Sequence, residues 1–539
     1  MKKQALAAVL CVGLAASMLS GCNNSGDTNT ASEELIPEVT TTDTYPIETD
    51  AEISYWVALN ANVAAYAGSM NDTEMAKYLQ EETGINVKFT HPATGQEKEK
   101  FNLMVASRDL TDIVETDWYN YTGGPDKAIT DKVIYPLDEA LEKVSPNFKA
   151  YLAENPDVAG QVQTDSGQYY IYPFVTKADK LRTCVGFMIR QDLLDEAGLE
   201  IPETIDEWET VLLKFKELGV KTPISMQFKN SNMDTMSNFM GAFGIQSGWY
   251  VENDTVKFGQ YEEAYRDYLT TMARWYEEGL IDSGFADEDS KRISAMVISG
   301  DVGAVSGWNG SGFGSWIPGL EAAVDGATLV PVPYVAQNKG ETPFTGHIMS
   351  VVGGSGAAIT TSCKNVEVAA RLLDYGFGEA GHMMYNFGRE GVSYEMVDNV
   401  PTYTDIILDT EKNGGLSVSQ AMSKYIRACY NGPFEQDPDY LFQMYPLEVQ
   451  KEAVEVWSQT DAKIHKLPLT VMTEEENKEF SEIMSDINTF REEKLAKIVS
   501  GQESVDTIDS YYETLKGLNM ERAIELQQAA YDRYLARQQ

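Results

Sequence analysis

The stretch from Ile53 to Phe89 decides the fold class, and it reads as strand, helix and strand in turn. It opens with the strand-like run Ile53-Ser54-Tyr55-Trp56-Val57 and closes with the alternating run Ile85-Asn86-Val87-Lys88-Phe89. Between them, Asn71-Asp72-Thr73-Glu74 can cap a helix that continues through Glu82 and is ended by Gly84. Two strands separated by a helix of this length predict parallel strands with the helix lying across their sheet.

The next segment repeats this unit. A second helix fits residues 97–107, and Asp112-Ile113-Val114-Glu115 predicts a third strand. Ligands of open α/β sheets bind outside the carboxyl ends of the strands. Trp56, Trp118 and Tyr119 lie at or just past two such ends, which makes them candidate ligand-binding residues.

Further α/β signals follow later in the chain. Residues 185–189 predict a strand, and Thr204-Ile205-Asp206-Glu207 opens a helix with the capping-box pattern. Residues 300–305 form a turn and a strand that leads to Trp308-Asn309-Gly310. From Ser417 onward the pattern is mainly helical. With 539 residues, the chain is too long for one hydrophobic core and suits two domains.

The N-terminus has the pattern of an export signal. Lys2 and Lys3 precede an apolar run from Ala5 to Leu19, which is too short for a transmembrane helix of roughly 20 residues. The run closes with Leu19-Ser20-Gly21-Cys22, which resembles a bacterial lipobox, with cleavage before Cys22 and a lipid on its thiol. An ordinary secretory signal with an incidental cysteine is the alternative. Residues 23–50 are polar, so they predict a disordered tether.

Composition excludes several function classes. A formal net charge of -41 repels nucleic acid, so no nucleic-acid partner is expected. The cysteines Cys184, Cys363 and Cys429 show no CxxC spacing and read as buried thiols, and the four histidines show no metal-binding spacing. The acidic residues Asp282 and 287–289 lack the pattern of a calcium loop and fit helix capping before Ser290 better. No metal, cofactor or catalytic residue is predicted.

Four stretches, in this order, resemble the extracellular solute-binding lipoproteins of ABC sugar importers, of the long Gram-positive, family 1 type. They are Ile189-Arg190-Gln191-Asp192-Leu193-Leu194 with Ile201-Pro202-Glu203-Thr204-Ile205-Asp206-Glu207-Trp208; Trp275-Tyr276-Glu277-Glu278-Gly279-Leu280-Ile281-Asp282; Asn386-Phe387-Gly388-Arg389-Glu390-Gly391-Val392-Ser393-Tyr394; and Gln528-Ala529-Ala530-Tyr531-Asp532-Arg533. The family more often has an aliphatic residue where this chain has Arg389. The resemblance covers nearly all of the chain after the tether.

The resemblance implies an α/β, two-lobed periplasmic-binding-protein-like fold (type II), with the ligand in a cleft between lobes joined by a hinge. Crossovers are expected near residues 175–182, 334–346 and 401–409. The predicted division is a signal peptide over 1–21, a tether over 22–50, the first lobe over 51–174 and 339–405, and the second lobe over 175–338 and 406–539. Residues 406–539 are its C-terminal helical part.

Sugar recognition needs flat apolar faces and polar groups for hydroxyls, which Trp and Tyr supply together. The candidate ligand-binding residues are Trp56, Trp118, Tyr119, Tyr172, Trp308, Asn309 and Glu390. Trp208, Trp249 and Trp275 lie in apolar helix or strand patterns and are predicted to be core residues.

Three functions follow from these observations. The leading hypothesis is a monomeric, lipid-anchored protein on the outer face of the cytoplasmic membrane that captures an oligosaccharide and delivers it to the permease subunits of an ABC importer. The second is the same scaffold binding a peptide or another solute, or acting as a sensor. The third is a surface glycoside hydrolase, although no carboxylate pair stands out among the 83 acidic residues.

Overall fold

Two separate β-sheets organise the chain in a computed structural model, which describes residues 34–226, 236–286, 290–428 and 430–538. The strands are β1 Glu52–Trp56, β2 Asn86–Thr90, β3 Ile113–Asp117, β4 Tyr172–Val175, β5 Val185–Arg190, β6 Thr222–Ser225, β7 Trp249–Glu252, β8 Thr255–Phe258, β9 Val302–Trp308, β10 Leu329–Val332, β11 Val352–Ile359, β12 Tyr394–Val397, β13 Val400–Tyr403 and β14 Phe434–Glu435.

The helices begin and end as follows: α1 Ala61–Ala64, α2 Glu74–Thr83, α3 Glu97–Ser107, α4 Gly124–Thr130, α5 Asp138–Lys143, α6 Pro146–Glu154, α7 Pro156–Gln161, α8 Asp179–Arg182, α9 Gln191–Ala197, α10 Ile205–Glu217, α11 Tyr265–Glu277, α12 Ser290–Ile298, α13 Gly314–Ala323, α14 Val366–Tyr375, α15 Glu379–Phe387, α16 Asp405–Leu408, α17 Val418–Tyr425, α18 Asp439–Met444, α19 Glu448–Trp457, α20 Ala462–His465, α21 Glu474–Val499, α22 Ile508–Gly517 and α23 Met520–Arg537. In the described ranges, none of them is long and apolar enough to cross a bilayer.

The first sheet contains the strands that the opening stretch predicts. Its order is β14-β4-β11-β3-β1-β2, and β1 pairs in parallel with both β2 and β3. The Thr73 side chain caps α2, and Gly84 ends that helix with a φ of 74°. A Cβ at position 84 would lie 2.2 Å from the carbonyl oxygen of Ile47, so the close approach of the two segments also requires glycine.

The second sheet has the order β10-β5-β9-β6 and is mixed, because β6 runs parallel to β9 whereas β5 runs antiparallel to it. Its main core is aromatic: Phe239 lies between the rings of Trp208 and Trp275, at centroid distances of 5.3 Å from each. Both tryptophans are fully buried, which confirms them as core residues. The long helix α21 packs on this core from outside, against α11.

Three crossings connect the two lobes. The first runs from β4 to β5 and the second from β10 to β11, and both coincide with the predicted segments. The prediction of a third crossing at 401–409 is wrong, since β14 still pairs with β4 of the first sheet. The chain crosses only after α18, at residues 445–447, because α18 still packs on β13 of the first lobe. Residues 406–435 therefore belong to the first lobe, where Ile407, Met422 and Phe434 are buried in its core.

The predicted tether is also corrected. Residues 34–50, here called the N-terminal strap, lie on the first lobe and bury Ile36 and Ile47. The backbone N–H of Ile47 donates to the carbonyl of Thr83 at 2.9 Å. The predicted signal peptide, Cys22 and the rest of the tether lie outside the described residues.

Candidate ligand-binding site

All three crossings meet the first sheet at one edge. The first crossing leaves from the carboxyl end of β4, and the second arrives at the amino end of the antiparallel β11. The third follows β14, which is parallel to β4, after the short helix α18. In register, Ser355 of β11 lies opposite Asp117, the last residue of β3. This edge therefore holds the carboxyl ends of β1 and β3, and it faces the second lobe because every connection to that lobe starts here.

A cavity of about 370 Å³ opens at this edge. Its walls come from residues 56–60 after β1, from residues 115–117 of β3, and from Glu97 and Ser355. Arg427, Tyr430 and Asn431 complete it from the connection between α17 and β14. The volume lies within the range of small-molecule sites, about 300–1,000 Å³.

The floor of the cavity is a buried ion pair. Arg427 is 1% exposed, and its Nη2 lies 2.9 Å from both carboxylate oxygens of Glu115. The hydroxyl of Tyr55 donates to the same carboxylate at 2.5 Å. Burial, reinforced by the charge of Glu115, raises the pKa of Tyr55 well above its ordinary value. The phenol therefore stays protonated and keeps donating to Glu115.

Of the two tryptophans predicted at strand ends, only Trp56 lines the cavity. Its ring lies 6.3 Å from that of Phe101, and only 4% of the residue is exposed. Trp118 is fully buried, and its indole N–H donates to the carbonyl of Val114 at 2.9 Å. The backbone turns directly after β3, with the N–H of Trp118 bonded to the carbonyl of Thr116, and returns the ring to the core. The prediction that Trp118 is a ligand platform is wrong.

The two tyrosine candidates also lie outside the cavity wall. Tyr172 is fully buried in β4, where its ring packs on Phe148 and its hydroxyl lies 2.6 Å from that of Ser145, so its prediction is corrected to a core role. Tyr119 is half-buried, and its hydroxyl donates at 3.0 Å to the carbonyl of Thr470, beyond the third crossing. Burial raises the pKa of Tyr119 to about 12. Tyr119 thus bridges the first lobe to a segment that follows that crossing.

The candidates of the second lobe divide in the same way. Trp308 is half-buried at the end of β9, and its register partner Val185 is the first residue after the first crossing. Its ring meets His347 edge-on at 5.8 Å, and burial lowers the pKa of His347 to about 4. Asn309 is fully buried, and its side chain donates to the carbonyl of Gln450 at 2.8 Å. Asn309 is therefore structural, which corrects the prediction.

Glu390 lies away from this site. It is exposed and borders a separate cavity of about 210 Å³ together with Tyr78 and Tyr394. The neighbouring Arg389, where the chain departs from its family, has its guanidinium 4.0 Å from the centre of the Tyr78 ring and pairs with Glu81 at 2.6 Å. The structure does not bring Glu390 together with Trp56.

Sequence reasoning missed most of the polar residues of the cavity. Glu115 carried the clearest signal, because a carboxylate within a buried strand requires a partner. The partner, Arg427, is 312 residues away, and no local pattern points to it. Asn60 and Asp117, at the ends of β1 and β3, could have been found as polar neighbours of the predicted tryptophans.

The described residues offer neither a metal-ligand cluster nor a disulfide. Among the residues that the structure describes, no group of three His, Cys, Asp or Glu side chains could hold a metal ion. Asp282 is buried and pairs with Arg292 at 2.8 Å, whereas residues 287–289 of the acidic cluster lie outside the described ranges. Cys184 and Cys363 are unbridged, and burial raises the pKa of both thiols to about 12. Cys429 also lies outside the described residues.

The sequence pattern of the bacterial extracellular solute-binding protein family matches residues 59–383. The chain belongs to this family. Two curated relatives of this solute-binding protein are the fructooligosaccharide ABC transporter substrate-binding protein FusA of Streptococcus pneumoniae serotype 4 and the lipoprotein LipO of Bacillus subtilis (strain 168). FusA is 23% identical over 502 residues, 86% of this chain and 88% of FusA. LipO is 25% identical over 409 residues, 72% of this chain and 74% of LipO.

The crystal structure of the alginate-binding protein AlgQ2 without calcium ion shows the same fold. It superposes on this solute-binding protein with a TM-score of 0.70 at 24% identity, and covers 90% of this chain and 99% of AlgQ2. The two-lobed α/β class predicted from the sequence is thereby confirmed.

Proposed function

We propose that this solute-binding protein captures an oligosaccharide in the cleft between its lobes and delivers it to the permease subunits of an ABC importer. The observation that carries the proposal is the cavity at the carboxyl ends of β1 and β3, where Trp56 stands beside carboxylate and amide groups on the edge that faces the second lobe. An aromatic wall suits the C–H face of a pyranose, and the polar groups suit its hydroxyls. Trp308, at the matching edge of the second sheet, is the proposed opposing contact.

The names of the relatives support a saccharide ligand. FusA is named for fructooligosaccharides and AlgQ2 for alginate, so this scaffold holds carbohydrate in both. A hydrolase is disfavoured, because the most buried carboxylate of the cavity, Glu115, is held in an ion pair with Arg427 and cannot serve as a catalytic acid without breaking it. The alternatives to this proposal are a peptide ligand, another solute or a sensory role, and an experiment must separate them from it.

A thermal-shift screen of the full chain in detergent tests the ligand class. Neutral oligosaccharides, acidic oligosaccharides and peptides are compared side by side. A true ligand at a hundred times its Kd stabilises the folded form by about 2.7 kcal/mol and raises the melting temperature. The proposal expects the shift from an oligosaccharide that the protein leaves uncleaved. A shift from peptides alone, or release of labelled sugar, would contradict it.

The proposed location is the outer face of the cytoplasmic membrane, with lipid on Cys22 and the protein acting as a monomer. Stable anchoring takes at least two acyl chains. Cys22→Ala should leave the precursor uncleaved or release the protein from the membrane. Fractionation of cells that express this variant measures the outcome, and a variant that is processed and retained like the wild type would refute the lipid assignment.

A further inference from the structure

We infer that the cavity selects uncharged, hydroxyl-rich ligands and rejects anionic ones, with Glu97 and Asp117 as the residues that determine this selectivity. The inference rests on the proposed function and narrows its ligand to neutral oligosaccharides. AlgQ2, named for alginate, shares the fold, so the fold leaves ligand charge open. The arrangement of charges around the cavity carries the argument.

Arg427 would at first sight favour an acidic sugar, because it is the single cation among the residues that line the cavity. Its charge is already neutralised. Nη2 lies 2.9 Å from both oxygens of Glu115 and donates to the carbonyl of Asn431 at 2.6 Å. An anionic ligand that displaced Glu115 from Nη2 would leave that carboxylate buried without a partner, which is strongly unfavourable. Nε has no hydrogen-bond partner among the described residues, but it is fully buried and closed to a ligand.

The two other charged residues that line the cavity are both acidic. Glu97, in the first turn of α3, accepts the backbone N–H of Gly95 at 2.9 Å, and Asp117 accepts the side-chain amide of Asn120 at 2.7 Å. In the described part of the chain, neither carboxylate has a Lys, Arg or His nitrogen within 4.0 Å. Hydrogen bonds from backbone N–H groups hold the pKa of Glu97 below its usual value, which keeps it ionised at neutral pH.

Two ionised carboxylates can accept hydrogen bonds from sugar hydroxyls, whereas they repel a ligand carboxylate or sulfate. Asp117 is exposed and Glu97 half-buried, so the repulsion acts at the rim of the cavity, where salt weakens it. The charge of the whole chain adds to it at low salt. The two carboxylates therefore offer acceptors to the hydroxyls of a neutral glycan, whereas a ligand anion meets two like charges.

The test uses the full chain in detergent and a matched ligand pair. The first ligand is the neutral oligosaccharide with the largest thermal shift, and the second is the same oligosaccharide with its primary hydroxyls oxidised to carboxylates. Calorimetry at low salt should show the oxidised form binding at least about tenfold more weakly, with a smaller difference at high salt. The double variant Glu97→Gln with Asp117→Asn should close most of this difference.

Glu99→Gln with Asp109→Asn is the matched control, because it removes the same two charges from exposed positions outside the cavity wall. It should leave the discrimination unchanged, and melting curves confirm that all variants are folded. Equal or tighter binding of the oxidised ligand by the native chain would overturn the inference and leave the proposed function standing. An undiminished difference in the double variant would overturn the role of the two carboxylates. Binding of peptides but of no oligosaccharide would overturn the proposed function and the inference with it.

Discussion

At the scale of single residues, Trp56 and Trp118 show that a position at a strand end does not by itself decide whether a side chain borders the cavity. Both follow strands of the same sheet, yet Trp56 borders the cavity and Trp118 is enclosed by the core. The difference is one backbone turn after β3, which returns the indole to Val114. A ligand contact therefore depends on the path of the chain after the strand as well as on where the strand ends.

Trp118→Ala should destabilise the first lobe, since replacing a core Trp by Ala costs about 3–5 kcal/mol. Trp208→Ala should cost a similar amount in the second lobe, where that ring is equally buried. Urea denaturation followed by fluorescence and circular dichroism measures both. Trp308→Ala, which truncates a half-buried ring, is the control expected to lose less stability. A normal unfolding curve for Trp118→Ala would contradict its place in the core.

Asp374 of α14 gives the first lobe a predictable response to pH. Burial raises its pKa to about 7, although it accepts hydrogen bonds from the N–H of Phe148 and the side chain of Asn147, both at 2.8 Å. Between its unfolded value near 3.8 and the folded value, the native state binds more protons than the unfolded state. Stability from this group is therefore lost as pH rises through that window.

Asp374→Asn should remove this part of the pH dependence, because an amide does not titrate. Urea denaturation of wild type and variant at several pH values between about 4 and about 8 measures the difference in unfolding free energy. We expect the variant to gain stability relative to the wild type as pH rises. A constant difference across the range would show that Asp374 titrates normally.

At the scale of elements, the N-terminal strap shows how a polar segment becomes ordered. Glu139 accepts the N–H groups of Leu35 and Ile36, both at 2.8 Å. Glu367 accepts the N–H and hydroxyl groups of Thr40 and Thr41, at 2.6–2.9 Å. The strap has few apolar residues, but the lobe supplies carboxylates for its donors. The polar composition of the strap thus matches the polar groups of the lobe that it binds.

Glu367→Ala should loosen the strap, because it removes the acceptor of four hydrogen bonds, and a hydrogen bond to a charged group is worth about 1.5–3 kcal/mol. We expect a loss of about 2 kcal/mol from the first lobe, less than the four bonds would give by simple addition, because Thr40 and Thr41 can then bond to water. Hydrogen exchange over residues 40–47 and thermal melting measure the change. Glu38→Ala, at an exposed position in the same strap, should change neither. Unchanged exchange in Glu367→Ala would mean that other contacts hold the strap.

At the scale of the whole molecule, three crossings connect the lobes, and the C-terminal helices α21 and α23 also pack on α4 and α7 of the first lobe. The first two crossings bond to each other, with the Nε of Arg182 donating to the carbonyl of Met349 at 2.7 Å. Lys463, beyond the third crossing, pairs with Asp179 of the first at 2.9 Å. Within the described residues the two sheets share no strand pairing, so closure can rotate one sheet relative to the other about the crossings while α21 and α23 shift on α4 and α7.

Ligand binding should therefore favour a closed arrangement of the lobes and reduce the radius of gyration. Small-angle scattering of the full chain, with and without a saturating ligand from the screen, measures the change. An oligosaccharide that gives no thermal shift serves as the control and should leave the radius unchanged. A constant radius with the true ligand would indicate a rigid site on the first lobe alone.

The sequence alone determined those features whose causes lie within a few residues. The alternation from Ile53 to Phe89 specifies β1, α2 and β2, because strand and helix periods are local and Gly84 can end the helix by itself. The core positions of Trp208 and Trp275 follow from similarly local patterns, whereas the first two crossings were expected from the family resemblance. The family was also recognisable, since its motifs are short stretches in a set order.

Only the tertiary structure decided the features that depend on distant partners. Residues 406–435 join the first lobe because a two-residue strand pairs with β4, across nearly half of the chain's length. Glu367, whose carboxylate orders the strap, lies more than 320 residues after the threonines that it binds. Glu115, whose carboxylate neutralises Arg427, lies 312 residues before it. The packing of the whole chain determines which distant residue a side chain contacts, and the local spacing of residues in the sequence does not predict it.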